Sequence, residues 1–404
     1  MSRRPFALLW AGSSGANLGD GILRAAAPLL AATLTRDPAL VSGIVVAWFL
    51  PWVLFGVFAG VLVDRTDRRA LLVAGNGLRV LALAGLAFAL ATGTASLVLL
   101  YIVVLLLGTA ETVVDTSSLA ILPQLVPGDR IDTANGRLFT TQATFDELAG
   151  PPLGSFVFAL SAVGAFVTGS AAYLLAAVLF ALLPRARPVG DDLPRERLRT
   201  ALAEGFRWFR GSRMLQVCAT VAATYNFTHF ATFGVLVLLA QDRLGLDAVG
   251  YGLLLASAAL GGIPGGLLAP VITRKLGPGR AMLISNLLPG LGFLALALTT
   301  SAIVAAVGIL VSSFCSTLGN VVQIGLRQRI VPNALLGRVT SFYRLIGLGA
   351  IPLGGLAGGL LAGAFGLTAP YWVGGVLMIV MAVAVAPYLT NARIRNLPSG
   401  DPTP

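Results

Sequence analysis

The 404-residue sequence predicts an all-α integral membrane protein of about twelve transmembrane helices in two six-helix halves. Three observations carry that reading. First, 56% of the residues are hydrophobic and only 11% are charged, against about 45–50% and about 25% in soluble domains. Second, charged and Pro/Gly-rich breaks divide the chain into about twelve apolar runs, and crossing the hydrocarbon core takes about 20 apolar residues. The runs fall near 6–34, 41–63, 71–91, 97–121, 134–160, 164–184, 214–241, 249–272, 281–299, 302–326, 338–363 and 369–390. Third, the longest polar break, Arg185–Arg213, holds eight arginines and divides the runs six and six. The expected organisation is therefore a bundle over 1–184, a linker over 185–213 and a second bundle over 214–404.

The first run follows Arg3 and Arg4, is long, contains Asp20 and Arg24, and lacks a convincing cleavage site, so it is expected to be retained as a helix. An ionisable residue inside a bilayer costs roughly 2.5–3.5 kcal/mol on insertion scales and is a functional candidate by default. Asp20 and Arg24 lie one turn apart on one face, and at about 1.5 Å per residue they sit roughly 21 and 27 Å from the start of the run. Two readings stand: a neutral structural ion pair, or a gated proton site in a cavity.

Five of the ten residues Gly60-Val-Leu-Val-Asp64-Arg65-Thr-Asp67-Arg68-Arg69 are charged, which marks a water-facing loop between the second and third runs. A glycine that lets helix ends approach, then an acid, then clustered arginines, is the chemistry of a hinge locked by ion pairs. The fourth run carries Glu111 and Asp115 one turn apart. Two like charges there cannot both stay ionised in low dielectric without a counter-charge. Asp115, nearer the run's end and within reach of Arg65, Arg68, Arg69 or Arg79, is assigned to the gate; Glu111 lies deeper and is the better proton candidate. In the fifth run Asp146 and Glu147 come roughly 18–20 Å in, close to the midplane. Adjacent positions point about 100° apart, so one of the two faces the cavity. Gly150-Pro151-Pro152-Leu153-Gly154 follows, and prolines that cannot complete the helix ladder beside small residues predict a kink against a neighbour.

In the linker, Leu198, Leu202, Phe206 and Phe209 recur at helical spacing among arginines, predicting an amphipathic helix on the membrane surface. His229, the only histidine, accompanies Tyr225 and Asn226 in the seventh run. It reads either as a hydrogen-bonded core residue or as a lining residue of a substrate cavity. Cys218 and Cys315 lie inside apolar runs and read as buried free thiols. No metal or catalytic constellation is evident, and the glycine-rich Leu260–Gly266 lacks a phosphate-loop lysine. The expectation is no enzyme, no cofactor and no metal. The halves echo each other: Val126-Pro127, Gly136-Arg137 and Pro152-Leu153-Gly154 recur in order as Val331-Pro332, Gly337-Arg338 and Pro352-Leu353-Gly354.

The net charge of +11 suggests nucleic acid until the charges are placed. All but five of the 28 Lys and Arg residues fall at the termini or in alternate loops; the exceptions are Arg36 and Arg243 in the opposite loops and Arg24, Arg79 and Arg344 within runs. This is the positive-inside pattern, so both termini are expected in the cytoplasm of a cell-membrane protein. The expected partners are the lipid bilayer and a small-molecule substrate, with no nucleic acid and a monomeric state.

The Gly60–Arg69 loop resembles the G-x-L-x-D-R-x-G-R-R/K motif of the major facilitator superfamily, with Gly60, Leu62, Asp64, Arg65, Arg68 and Arg69 matching and Asp67 in place of glycine. Gly150-Pro151-Pro152-Leu153-Gly154 partly resembles the fifth-helix signature of its proton-coupled exporters, with Asp146 and Ser155 replacing glycines. Together with Asp20…Arg24, Glu111…Asp115 and Gly136-Arg137, the order is similar to the bacterial exporter branch that includes the enterobactin exporter and macrolide-efflux proteins. The resemblance implies two pseudo-symmetric halves and alternating-access export of a small hydrophobic or amphipathic compound by proton antiport. The alternatives are a lipid or lysolipid flippase, recognised by lipid-dependent transport, and a nutrient importer, recognised by uptake into proteoliposomes. A single cysteine near Arg199, in a background without Cys218 and Cys315, is expected to label from the cytoplasm; labelling from outside would overturn the topology.

Overall fold

The computed structural model describes residues 4–185 and 198–396, and the described residues form helices and no strand. The first half comprises α1 (Arg4–Leu34), α2 (Pro38–Arg65), α3 (Arg68–Ala91), α4 (Leu97–Leu125), a single turn at Gly128–Arg130, α5 (Ile131–Gln142), a π-helical segment (Ala143–Ala149), α6 (Gly150–Leu160) and α7 (Ala162–Ala181). After the linker helix α8 (Leu198–Gly211) come α9 (Arg213–Phe233), α10 (Leu236–Asp242), α11 (Ala248–Leu276), α12 (Pro278–Leu298), α13 (Ala302–Ile330), α14 (Asn333–Phe365), α15 (Ala369–Val385) and α16 (Asn391–Arg395). Each of the twelve expected runs falls on one of these helices or on a broken series of them.

Eight described helices are individually long and apolar enough to cross a membrane, and α9 with α10, bent by 41°, makes a ninth. The other three runs depart for identifiable reasons. α1 contains Asp20 and Arg24, the fifth run is interrupted by the π segment, and α15 has only 17 residues.

Two compact units result. One contains Met1–Asp191 with Val237–Ala259, the other Asp192–Leu236 with Leu260–Pro404. Residues 237–259 join the first unit through specific contacts. Arg36 Nη1 donates to Gln241 Oε1 at 2.6 Å and lies 3.6 Å from Asp242 Oδ1. Gly252 is so close to Ser155 and the Pro151 carbonyl that a Cβ would collide with both.

Within each unit the helices approach through glycine. Gly12, Gly15 and Gly19 of α1 face Phe180, Ala172 and Tyr173 of α7. Gly150 and Gly154 of α6 press onto the α1 backbone at Gly21 and Ile22. The repeated motif does the same in the second unit, where Gly354 and Gly358 of α14 press onto the α9 backbone at Phe227 and Ala231. Small residues substitute close packing for the hydrophobic driving force that lipid does not supply. The two halves differ at their prolines. Pro151 and Pro152 have no N–H to donate, and the Gly150 N–H bonds Phe145 O, five residues back, which sets the π register. The second half has the single Pro352, and α14 runs through it unbroken.

Several expectations are corrected. The charged loop is only Thr66 and Asp67, because α2 continues through Asp64 and Arg65. A Cβ at Gly60 would meet nothing within 4 Å, so close approach does not explain that glycine in this structure. Asp67, which stands in place of the motif's glycine, caps α3 at φ −60°, its Oδ1 accepting the Arg69 N–H at 3.0 Å. The linker helix does not merely lie on lipid. Gly205 abuts the Arg338 backbone, and Phe206 and Phe209 each meet Phe342 edge-on at 5.1 Å. Its aromatic stripe thus finds a protein partner in α14; Arg195 and Arg197 lie outside the described residues.

Gly154→Leu and Gly354→Leu are expected to cost about 1–3 kcal/mol or more each by overpacking. Thermal stability of purified protein in detergent measures it, with Gly60→Ala expected to match wild type; an unaffected Gly354→Leu would contradict the repeated packing.

Candidate functional site: a buried charge network in the first unit

Gly19 leaves room for the Tyr173 ring, whose hydroxyl donates to Asp20 Oδ1 at 2.6 Å. The same oxygen lies 3.5 Å from Arg79 Nη1, and the Arg79 guanidinium stands over the Tyr173 ring, 4.9 Å from its centroid. Arg79 is 1% exposed, yet none of its three guanidinium nitrogens has a hydrogen-bond partner among the described residues. One helical turn along α1, Arg24 grips the carboxylate of Asp146 on the π segment with two contacts. Nε donates to Oδ1 at 3.2 Å and Nη2 to Oδ2 at 2.6 Å. The π register swings Asp146 into this buried position, 5% exposed, while the adjacent Glu147 remains exposed within electrostatic range of Arg24.

The pairing therefore differs from the one the sequence suggested. Asp20 and Arg24 do not pair with each other; each reaches across to a different helix. A turn on a helix puts two side chains on one face, but each then meets whatever the facing helix offers, and here α7 and α3 reach Asp20 while the π segment reaches Arg24.

With both deep arginines engaged, two acids on α4 remain. Glu111 Oε2 accepts the Trp48 indole N–H of α2 at 2.7 Å. Asp115 lines a cavity of about 360 Å³ between α1, α4, α5 and α7. Among the described residues no Lys or Arg nitrogen lies within 4 Å of either carboxylate. Arg79 is in electrostatic range of Asp20, Glu111 and Asp115 together, and Arg24 is in range of Glu111 as well. Asp115 was expected to pair with the loop arginines; the structure gives it no such ion pair.

Around the α2–α3 turn, Asp64 and Arg65 end α2, Arg68 is buried at 2% exposure, and Arg69 Nη2 donates to the Ala181 carbonyl, tying α3 to the end of α7. Among the described residues no ion pair within 4 Å includes Asp64, Arg65 or Arg69. His229 lies in the second unit, in an aromatic ladder. It stacks on Tyr225 at 5.5 Å and on Phe233 at 5.9 Å, with Phe230 edge-on at 5.0 Å. No group of three His, Cys, Asp or Glu side chains able to hold a metal ion occurs among the described residues.

Tyr173 and Trp48 were missed from the sequence. Both look like ordinary apolar-run aromatics, although each has a polar tip that must find a partner when buried. Arg79 was noted only as a partner for Asp115, and its place at the centre of the network was not foreseen.

Residues 1–401 match the family model described as transmembrane secretion effector. The chain belongs to that family. Among its relatives, macrolide efflux protein A of Streptococcus pyogenes is 25% identical over 97% of both chains. The enterobactin exporter EntS of Escherichia coli is 26% identical over 74% of this chain and 72% of its own. The nucleoside transporter NupG superposes with TM-score 0.76 at 15% identity, covering 96% of this chain and 99% of that one. A bacterial homologue of the iron transporter ferroportin in an inward-facing state gives 0.75 at 17%, covering 96% and 100%. These likenesses establish the major facilitator fold. This secretion-effector chain is thus a multi-pass membrane transporter of the efflux type and not an enzyme.

Removing one member of a buried ion pair strands the other, at a cost of about 3–5 kcal/mol. Arg79→Gln is therefore expected to lower the thermal stability of the purified protein sharply. The Arg79→Gln/Asp20→Asn double variant is expected to recover part of that loss; simple additivity would show that the two do not act as a pair.

Proposed function

We propose that this protein exports a small hydrophobic or amphipathic compound across the cell membrane in exchange for protons, with both termini and the arginine-rich loops in the cytoplasm. The observation that carries the coupling is the charge imbalance of the network. Asp20 and Asp146 have arginine partners, whereas Glu111 and Asp115, one turn apart on α4, have none within 4 Å among the described residues. Carboxylates held close together in low dielectric share a proton rather than both remain charged. Export against a gradient needs an energy source, and a carboxylate pair that loads and releases a proton supplies one.

The substrate class comes from the relatives, whose printed activities are macrolide efflux and enterobactin export. Arg79 is the moving part in this reading. When an acid on α4 is ionised it competes with Asp20 for the one guanidinium that all three acids feel. Protonation of α4 returns Arg79 to Asp20 and Tyr173. Such a shift biases one of two conformations through differential contacts, which is all that a coupled ion needs to do. Asp146, held by two hydrogen bonds to Arg24, serves as a fixed tie between α1 and the π segment. The Asp64, Arg65, Arg68 and Arg69 cluster is the cytoplasmic gate, acting in the state opposite to the one with the gate open.

Everted membrane vesicles test the antiport. Adding a macrolide to energised vesicles is expected to release protons in wild type. In Glu111→Gln and Asp115→Asn release should fall at least about tenfold, while substrate exchange without a gradient persists. Retention of full proton release in both variants would remove α4 from the coupling path. Asp64→Asn is expected to increase cysteine accessibility from the cytoplasm and reduce transport at normal expression; unchanged accessibility would remove Asp64 from the gate.

A further inference from the structure

The repeat shared by the two halves leads to a second cavity in the first unit, apart from the buried charge network. Val331-Pro332 joins α13 to α14, as Val126-Pro127 follows α4 and leads to α5. In the second unit the linker helix α8 fills the recess between the starts of α9 and α14. Phe209 packs with Leu215 and Ala219 of α9 and with Val331 and Val339, and Gly205 abuts the Arg338 backbone. The corresponding recess of the first unit lies between the starts of α1 and α5. It is a cavity of about 730 Å³, within the usual range of small-molecule pockets.

The two recesses differ in chemistry. The α14 wall offers Leu335, Leu336, Val339 and Phe342, which suit the aromatic stripe of α8. The first-unit recess is instead divided in two. Its apolar side is formed by Phe6 and Trp10 of α1 with Leu125 and Val126 at the end of α4. The Trp10 indole N–H donates to Thr141 Oγ1 of α5 at 2.6 Å, which fixes a ring that is still 43% exposed. The polar side carries Arg130, Thr133 and Arg137, whose spacing of three and four residues puts them on one helix face. Asp129 is the one acid in the lining. It lies 4.0 Å from Arg130 with both side chains largely exposed, so the pair is weak. Among the described residues no ion pair within 4 Å includes Arg137.

This division selects the occupant. An aromatic helix such as α8 would cover Arg130 and Arg137 without supplying a counter-charge. A small soluble anion would satisfy the arginines and leave Phe6 and Trp10 facing water. An anionic phospholipid answers both sides at once. Guanidinium groups take phosphate oxygens in a fork geometry, and an acyl chain covers the aromatic rings. The position agrees, because apolar α4 gives way here to the charged turn Gly128–Arg130, as acyl chains give way to headgroups. Tryptophan favours that depth, and basic pockets between membrane helices suit anionic headgroups.

We propose that this recess binds an anionic phospholipid of the surrounding leaflet, its phosphodiester at Arg130, Thr133 and Arg137 and an acyl chain against Phe6 and Trp10. The lipid is a resident ligand and not the transported compound, since this cavity and the one lined by Asp115 share no residue. It bridges α1, α4 and α5, so its binding favours the packed arrangement of those helices by linkage.

The probe is phosphatidylglycerol with a diazirine in one acyl chain, and phosphatidylcholine with the same chains is its zwitterionic counterpart. Each is placed at low mole fraction in phosphatidylcholine nanodiscs holding the whole purified chain, and crosslinked peptides are mapped by mass spectrometry. Wild type is expected to crosslink phosphatidylglycerol at residues 6–10 at least about fivefold more than phosphatidylcholine. Arg130→Gln/Arg137→Gln should lose that preference while its phosphatidylcholine labelling matches wild type. Arg329→Gln/Arg395→Gln, which removes the same charge from the second unit, should keep it. Equal labelling by the two lipids in wild type would overturn the proposal without reference to any variant. An undiminished preference in Arg130→Gln/Arg137→Gln would overturn it too, as would an equal loss in Arg329→Gln/Arg395→Gln. Displacement of the lipid by equimolar glycerol 3-phosphate would assign the recess to a soluble phosphate and overturn the lipid assignment.

Discussion

The bonding of the first unit is organised by a shortage of positive charge in a place where charge is expensive. Asp20, Glu111, Asp115 and Asp146 cluster inside the first unit, and among the described residues Arg24 and Arg79 are the cations paired with them or in electrostatic range of them. A buried ion pair repays its desolvation only when the geometry is good and the remaining polar atoms are satisfied. Arg24 with Asp146 meets that condition. Asp20 meets it by adding the Tyr173 hydroxyl to a looser contact with Arg79. The acids of α4 have no Lys or Arg nitrogen within 4 Å among the described residues, and the proposed proton answers that imbalance. The proposed coupling follows from this imbalance rather than from any single strong interaction.

Backbone packing makes the network possible. The glycines of α1 let α7 and α6 approach until side chains from both can meet Asp20 and Arg24. The tandem prolines withhold two hydrogen-bond donors, the helix before them takes the π register, and Asp146 turns inward as a consequence. In the second unit Gly354 and Gly358 preserve the packing of the repeat, while a single proline leaves α14 regular. The structural repeat is thus kept in both halves, and among the described residues the buried acids are in the first.

Much of the fold was legible in the sequence, because hydropathy and arginine placement are read out by the bilayer residue by residue. The runs and the deep acids appear on the expected helices, and before Gly150 the helix changes to the π register. Partner choice was not legible. Spacing along α1 suggested Asp20 with Arg24, yet which facing helix supplies a partner depends on inter-helix geometry that no local pattern encodes. The same holds for Asp115, whose position near a helix end suggested the loop arginines and which instead lines a cavity. Tyr173 and Trp48 gave no distinguishing signal, since an aromatic residue in an apolar run is ordinary until its polar tip is seen to reach a carboxylate. Asp67 could have been read better: an acid one residue before the next helix is an N-cap by position alone.

The central claim is that α4 holds a protonated carboxyl group at neutral pH. Infrared difference spectroscopy of the purified protein across an acid-to-alkaline titration reads the carbonyl stretch of a protonated carboxyl directly. The account predicts such a band at neutral pH, altered or lost in both Glu111→Gln and Asp115→Asn and retained in Asp146→Asn. A neutral-pH spectrum without a protonated carboxyl band, or a band that disappears only in Asp146→Asn, would contradict it.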